Sequence, residues 1–245
     1  MKIANEIEML ELTSDVMGRK SIINPVLIWN NEKMILVDTG FPGQLTQIKE
    51  KFANIGADFT KLDMIILTHQ DIDHIGNASS ILKELPNKKV KILAFEEEQD
   101  FIEGKQTPHK LAKLESNIDL LPKDMLTIYE KLKEGFGNSQ VMVDEVLKDG
   151  NILPYYGGIE IIYTPGHTIG HICVYLKKYK ILIAGDMLRV ENEILQKMSE
   201  TINFDNNLYI SSLKKLTEYD IETVICYHGG IYNKNVNECI KELIN

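Results

Sequence analysis

Cysteine is scarce in this chain, with three among 245 residues. Cys173, Cys226 and Cys239 contain no Cys-x-x-Cys pair, and an odd, sparse set builds no disulfide framework. They read as reduced thiols of a cytoplasmic protein, with Cys226 a small apolar residue on a strand. Long apolar runs are also missing. None approaches the roughly 18 residues of a membrane span, so no membrane partner is expected. The opening Met1-Lys2-Ile3-Ala4-Asn5-Glu6 lacks the apolar stretch of a secretory signal. Positive charge is in deficit: 27 Lys and Arg face 36 Asp and Glu, a net charge of −9. A surface of that sign repels phosphate backbones and argues against nucleic acid as a partner. Neither a Gly-x-Ser-x-Gly elbow nor a phosphate-cradling P-loop occurs, which removes two common catalytic devices.

Hydrophobic residues, at 44% of the chain, suffice for a sizeable core. One domain over residues 1–245 is expected. Ile7 to Leu12 is a short candidate strand. Pro25 to Trp29 and Met34 to Val37 form a hairpin across Asn30-Asn31-Glu32-Lys33. A helix follows Gly43 up to Ile55. Met64-Ile65-Ile66-Leu67 reads as a strand buried on both faces. A helix then stops before Pro86, Lys91 to Ala94 is a strand, and Glu96 to Ile102 is helical. Residues 104–140 carry helical spacing at Leu111, Leu114, Ile118 and Leu121, with breakers at Pro108, Pro122, Gly135 and Gly137. This segment reads as a helical insertion, either a wall for substrate or a surface helix pair. Strands return at Gly158–Tyr163, Ile172–Leu176, Ile181–Ala184 and Thr223–Cys226, with helices at about 207–216 and 235–244.

Several of these strands end in His or Asp. The densest case is Thr68-His69-Gln70-Asp71-Ile72-Asp73-His74, where four residues able to bind metal share six positions. One ion cannot take all four from so tight a loop. Two adjacent ions can, and a metal pair clamps attacking and leaving oxygens. His167 after Thr164-Pro165-Gly166, Asp186 after Ala184-Gly185, and His228 after Cys226-Tyr227 end other strands and would complete such a site.

The ordered set resembles the metallo-beta-lactamase superfamily, whose signature is His-x-His-x-Asp-His followed by a distant His, Asp and His. The likeness runs from Asp38-Thr39-Gly40 to His228 and departs at one position, where Asp71 replaces the second histidine. The resemblance implies an α/β fold, a four-layer αββα sandwich with its metal site at one edge of two sheets. It implies that His69, Asp71 and His167 hold one ion, that Asp73, His74 and His228 hold a second, and that Asp186 bridges them. Two divalent ions are expected. Zinc is the first expectation, and Asp71, a harder ligand than imidazole, also admits iron or manganese. The flavo-diiron branch, with a glutamate at this position, binds iron. Asp38 resembles the family's buried aspartate that orients a ligand, and His171 a histidine that supports the site without ligating. His109 is expected to face solvent.

The implied activity is hydrolysis by a hydroxide held between the metals, with Asp73 orienting the nucleophile or shuttling a proton. The expected substrate is a small ester, lactone or thioester. The alternatives are an iron-dependent oxygen or persulfide enzyme and a phosphodiesterase. Hydroxyacyl-glutathione hydrolases add a helical C-terminal domain, whereas 17 residues follow His228 here. Quorum-signal lactonases place a tyrosine three residues after the bridging aspartate, where this chain has Arg189. Arg189 is therefore a candidate for a substrate anion, and Tyr227 or Tyr232 for an oxyanion donor.

Overall fold

The computed structural model describes residues 1–16 and 19–244. A seven-stranded sheet has the spatial order Lys2–Ala4, Ile7–Met9, Val26–Trp29, Met34–Val37, Met64–Leu67, Lys91–Phe95 and Glu145–Leu147. A six-stranded sheet runs Ile152–Leu153, Ile159–Tyr163, Ile172–Leu176, Ile181–Ile183, Thr223–Cys226 and Gly230–Tyr232. Two hairpins, Leu12–Val16 with Arg19–Ile23 and Arg189–Glu191 with Ile194–Gln196, stand outside both sheets. Neither was foreseen.

The layers follow from strand parity. Successive side chains of a strand point to opposite faces, and runs apolar at every position bury both. Ile35, Val37, Met64 and Ile66 therefore face the second sheet, where they meet Ile161, Val174, Ile183 and Ile225. Their neighbours Leu36, Ile65 and Leu67 face outward onto Ile48 and Phe52 of helix Leu45–Asn54 and Ala78 and Ile81 of helix Ala78–Glu84. On the far side, Leu182, Ala184 and Val224 pack on Tyr209 and Leu213 of helix Asn206–Leu216 and Ile240 of helix Val236–Glu242. Helices, two sheets and helices make the four layers, each buried Leu or Ile contributing roughly 1.5–3 kcal/mol.

The expected insertion is helical. It contains His109–Glu115, a short 3-10 turn Ile118–Leu120, and the long helix Lys123–Ser139. Pro108 and Pro122 each stand just before a helix, as read. Gly135 and Gly137 do not break one; this is a correction. The Lys123–Ser139 helix runs through both. A helical glycine costs roughly 1 kcal/mol relative to alanine, and burial of Tyr129 and Phe136 in the first core offsets it.

Strand direction gathers the site. Met34–Val37, Met64–Leu67, Lys91–Phe95 and Glu145–Leu147 are mutually parallel neighbours, as are Ile181–Ile183 and Thr223–Cys226. Their C-terminal ends carry Asp38, His69, Asp186 and His228 to one edge. Two glycines permit the close approaches there. A Cβ on Gly76 would lie 2.4 Å from Gly40 O, and one on Gly166 (φ 135°) 2.3 Å from the Tyr209 backbone.

Candidate metal centre

After Leu67 the chain leaves its strand and makes a single helical turn, Ile72–Ile75, with Asp71 at its N-cap in extended conformation. A strand end followed by a turn fans His69, Asp71, Asp73 and His74 around one space. Their ligand atoms fall into two groups, each within 4.8 Å. His69, Asp71, His167 and Asp186 make the first; Asp73, His74 and His228 make the second. Asp186 stands between them. Its Oδ2 lies 3.3 Å from His167 Nε2, while Oδ1 lies 3.3 Å from His74 Nε2 and 3.4 Å from His228 Nε2. The seven residues singled out in the sequence thus converge.

Three of the four histidines, His69, His74 and His167, have partners on their outer nitrogens. His74 Nδ1 meets Asp38 Oδ2 at 2.8 Å, and a carboxylate accepts, so Nδ1 carries a proton and Nε2 is the nitrogen turned inward. Asp38 also accepts from Thr68 N and Thr68 Oγ1, each at 2.8 Å. The Thr68 hydroxyl, its proton given to Asp38, is free to accept from His69 Nδ1 at 3.0 Å. His167 Nδ1 lies 3.1 Å from Asn203 Oδ1. The Nε2 atoms turned to the centre are the ones that could ligate a metal once they are unprotonated.

The charges of the centre are tightly coupled. Burial works against ionising Asp186, yet His228 and His74 hold its carboxyl well below the usual range. Burial likewise opposes charge on His228, but Asp186 and Asp73 push it up to about 10. Burial also opposes ionisation of Asp73, which His74 and His228 hold down. His74 Nε2 and Asp186 Oδ1 are buried without a hydrogen-bond partner among the described residues. Buried polar atoms without partners are costly. Facing lone pairs of imidazole and carboxylate fit a divalent ion between them.

Two further residues brace the loops. Glu98, fully buried, accepts from Gln70 N and Gln70 Nε2 on one oxygen and from Thr168 Oγ1 and Gly170 N on the other. It joins the ligand loop of one sheet to the His167 loop of the other. His171 Nε2 accepts the backbone N–H of Asp186 at 3.0 Å, and its Nδ1 meets Thr164 Oγ1 at 2.9 Å. His171 belongs to neither ligand group.

The proposed substrate contacts fare differently. Tyr227 is buried, stacks on His74 at 3.9 Å, and gives its hydroxyl proton to Asp73 O while accepting from Gly40 N. Its hydroxyl is committed behind the ligand loop, which corrects the oxyanion-donor expectation. Tyr232 pairs with Cys239 Sγ at 3.1 Å and lines another cleft with Met9 and Lys234. Arg189 bonds Glu191 and Gln196 within its own hairpin. The mouth is instead a cavity of about 660 Å³ bounded by Asp71, His167, Lys113, Leu114, Ile202 and Phe204. His109 lies there between Phe101, tilted at 50°, and Phe204, stacked, each at 4.6 Å, rather than facing solvent. Sequence reading passed over Glu98, Asn203 and Lys110. Lys110, one residue past His109, sends its ammonium to Asp71 Oδ2. Nothing in the spacing of the ligand set reaches into the insertion to mark it.

Two sheets between helices, with paired metal-ligand groups at their common edge, define a metallo-hydrolase-type fold. The chain belongs to the metallo-beta-lactamase superfamily, whose family model matches residues 18–228. It is 26% identical over 215 residues to the beta-lactamase-like protein 2 homolog of Caenorhabditis elegans, covering 88% of this chain and 58% of that protein. The chain thus spans little more than half of that relative's length. It is 27% identical over 227 residues to the probable metallo-hydrolase YflN of Bacillus subtilis, covering 86% and 81%. The fold matches the crystal structure of a metallo-beta-lactamase family protein from Thermus thermophilus, with a TM-score of 0.74 at 22% identity over 98% of this chain and 78% of that one. No helix among the described residues is long and apolar enough to cross a membrane.

Proposed function

We propose that this protein is a dinuclear metal-dependent hydrolase of a small ester, lactone or thioester. The observation that carries the reading is the split carboxylate of Asp186, one oxygen toward His167 and the other toward His74 and His228. His69, Asp71 and His167 would hold the first ion and Asp73, His74 and His228 the second, with Asp186 placed to serve both. Zinc suits the imidazole-rich set, and the extra carboxylate of Asp71 also suits iron or manganese. Bound there, divalent ions supply Lewis acidity and ionise water near neutral pH.

The chain's own groups do the rest. Asp73 Oδ2, 3.4 Å from His228 Nε2, belongs to a side chain that is 15% exposed, the most open carboxylate of the centre. It accepts a proton from the attacking water and orients it. Leu114, Ile202 and Phe204 shed water from the mouth and bind the acyl part of the substrate, while Lys113 offers a cation at the wall. His69 and His167 are fixed by Thr68 and Asn203, so the first group needs no rearrangement of its imidazoles when substrate arrives.

Turnover of a panel of ester, lactone, thioester and phosphodiester substrates tests this. Activity should fall at least about a hundredfold in Asp73→Ala and vanish on chelation. Oxygen uptake on turnover with bound iron would replace the hydrolase reading by a redox one.

A further inference from the structure

We propose that Lys110 is a resident competitor for the first metal ion: its ammonium sits against Asp71 and His167, two of the residues that would hold that ion, and an ion entering there must drive it out toward the cavity. The inference rests on the dinuclear reading above. Lys110 Nζ pairs with Asp71 Oδ2 and lies 3.2 Å from His167 Nε2. These residues belong to the first ligand group, so the lysine and the ion need the same lone pairs. Two cations cannot share them, because their repulsion in a buried site is strong and little screened.

Asp71 is what recruits the lysine. An imidazole at this position would offer no charge for the ammonium to pair with; a carboxylate does. The centre is therefore lopsided. Among the described residues, no lysine or arginine lies within 4.0 Å of the Asp73 carboxylate, whose ion partners are His74 and His228. The second seat should fill first and the first seat later, at a cost set by the Lys110–Asp71 pair. The exit is open. Lys110 projects from the helix His109–Glu115, and its side chain is 42% exposed along the cavity wall. Rotation about its four-carbon stem carries the ammonium into water without moving the helix.

Cobalt(II) titration of the metal-free full chain, with a chelating indicator in competition, reads both seats separately. The wild-type protein should bind in two steps. Lys110→Met, which keeps the stem and drops the charge, should tighten the weaker step by at least about tenfold and leave the tighter one unchanged. Lys110→Arg should keep the wild-type pattern. One equivalent in wild type and two in Lys110→Met would support the proposal in its strongest form. Two steps unaltered by Lys110→Met, or a single equivalent in both proteins, would overturn it. Failure of every protein to bind cobalt would instead remove the metal centre and with it the dinuclear reading. Matching far-ultraviolet spectra for the three proteins confirm that folding is not the variable.

Discussion

Asp38 receives the Nδ1–H of His74 at 2.8 Å, from a backbone with φ of 61°. That conformation is uncommon for a residue other than glycine, and three hydrogen bonds to Thr68 and His74 hold the carboxylate in place. The pair fixes which nitrogen of His74 faces the centre. Asp38→Ala should lower metal affinity by about 10–100-fold, the usual cost of losing an outer partner of a ligating histidine. Competition with a zinc chelator measures it, and an unchanged dissociation constant would show that Asp38 is only structural.

Glu98 should dominate stability near the site. Glu98→Ala strips the acceptor from four donors, Gln70 N, Gln70 Nε2, Thr168 Oγ1 and Gly170 N. A buried donor left unsatisfied costs about 1–3 kcal/mol, so a loss of roughly 3 kcal/mol or more is expected in urea unfolding. Glu98→Gln keeps one carbonyl oxygen and should lose less. Equal stability of all three proteins would mean that water replaces the carboxylate freely.

Acid should weaken the fold through His171. Burial, then the charges of His69 and His167, hold its pKa well below the ordinary 6.5. Below about pH 6.5 the unfolded chain takes a proton on this ring that the folded chain refuses, so stability falls as pH drops through that range. Above it the contribution is fully present. Melting temperatures of wild type and His171→Gln should therefore differ more at pH 8 than at pH 5. A gap that widens toward acid would contradict the sign.

Thiol chemistry should be confined to one position. Burial pushes the Cys173 thiol up to about 12 and raises Cys226 well above its ordinary value. Both are fully buried, whereas Cys239 is partly exposed. A thiolate is the reactive form, so a disulfide reagent at pH 8 should modify one thiol of the native protein, at Cys239. Three should react after denaturation. Rapid native labelling of Cys226 would show that its strand end opens.

The ligand set was legible because its members lie at, or in the loop just after, the ends of apolar runs, and parallel strands deliver such ends to one edge. Met64–Leu67 and Thr223–Cys226 could be read residue by residue, and His69 and His228 followed. The side of the strand end on which Tyr227 points was not legible. It depends on stacking against His74 and on two main-chain partners supplied by Gly40 and Asp73. Lys110 and Glu98 were missed for a related reason. Lys110 reaches the centre and Glu98 braces its loops from segments whose helical pattern reports burial, not the direction of a polar head. Gly135 and Gly137 misled because local propensity yielded to the packing of Tyr129 and Phe136.

The segment that carries the insertion leaves the sheet after Phe95 and returns at Glu145, and those two strands are hydrogen-bonded neighbours, Leu93 opposite Glu145. Asp144 closes the seam, its N–H given to Ile92 O and its carboxylate accepting Ile92 N, each at 2.9 Å. An excursion whose ends meet side by side behaves as an exchangeable cassette. Its length and lining can therefore change without altering the register of the neighbouring strands, Leu93 with Glu145 and Phe95 with Leu147.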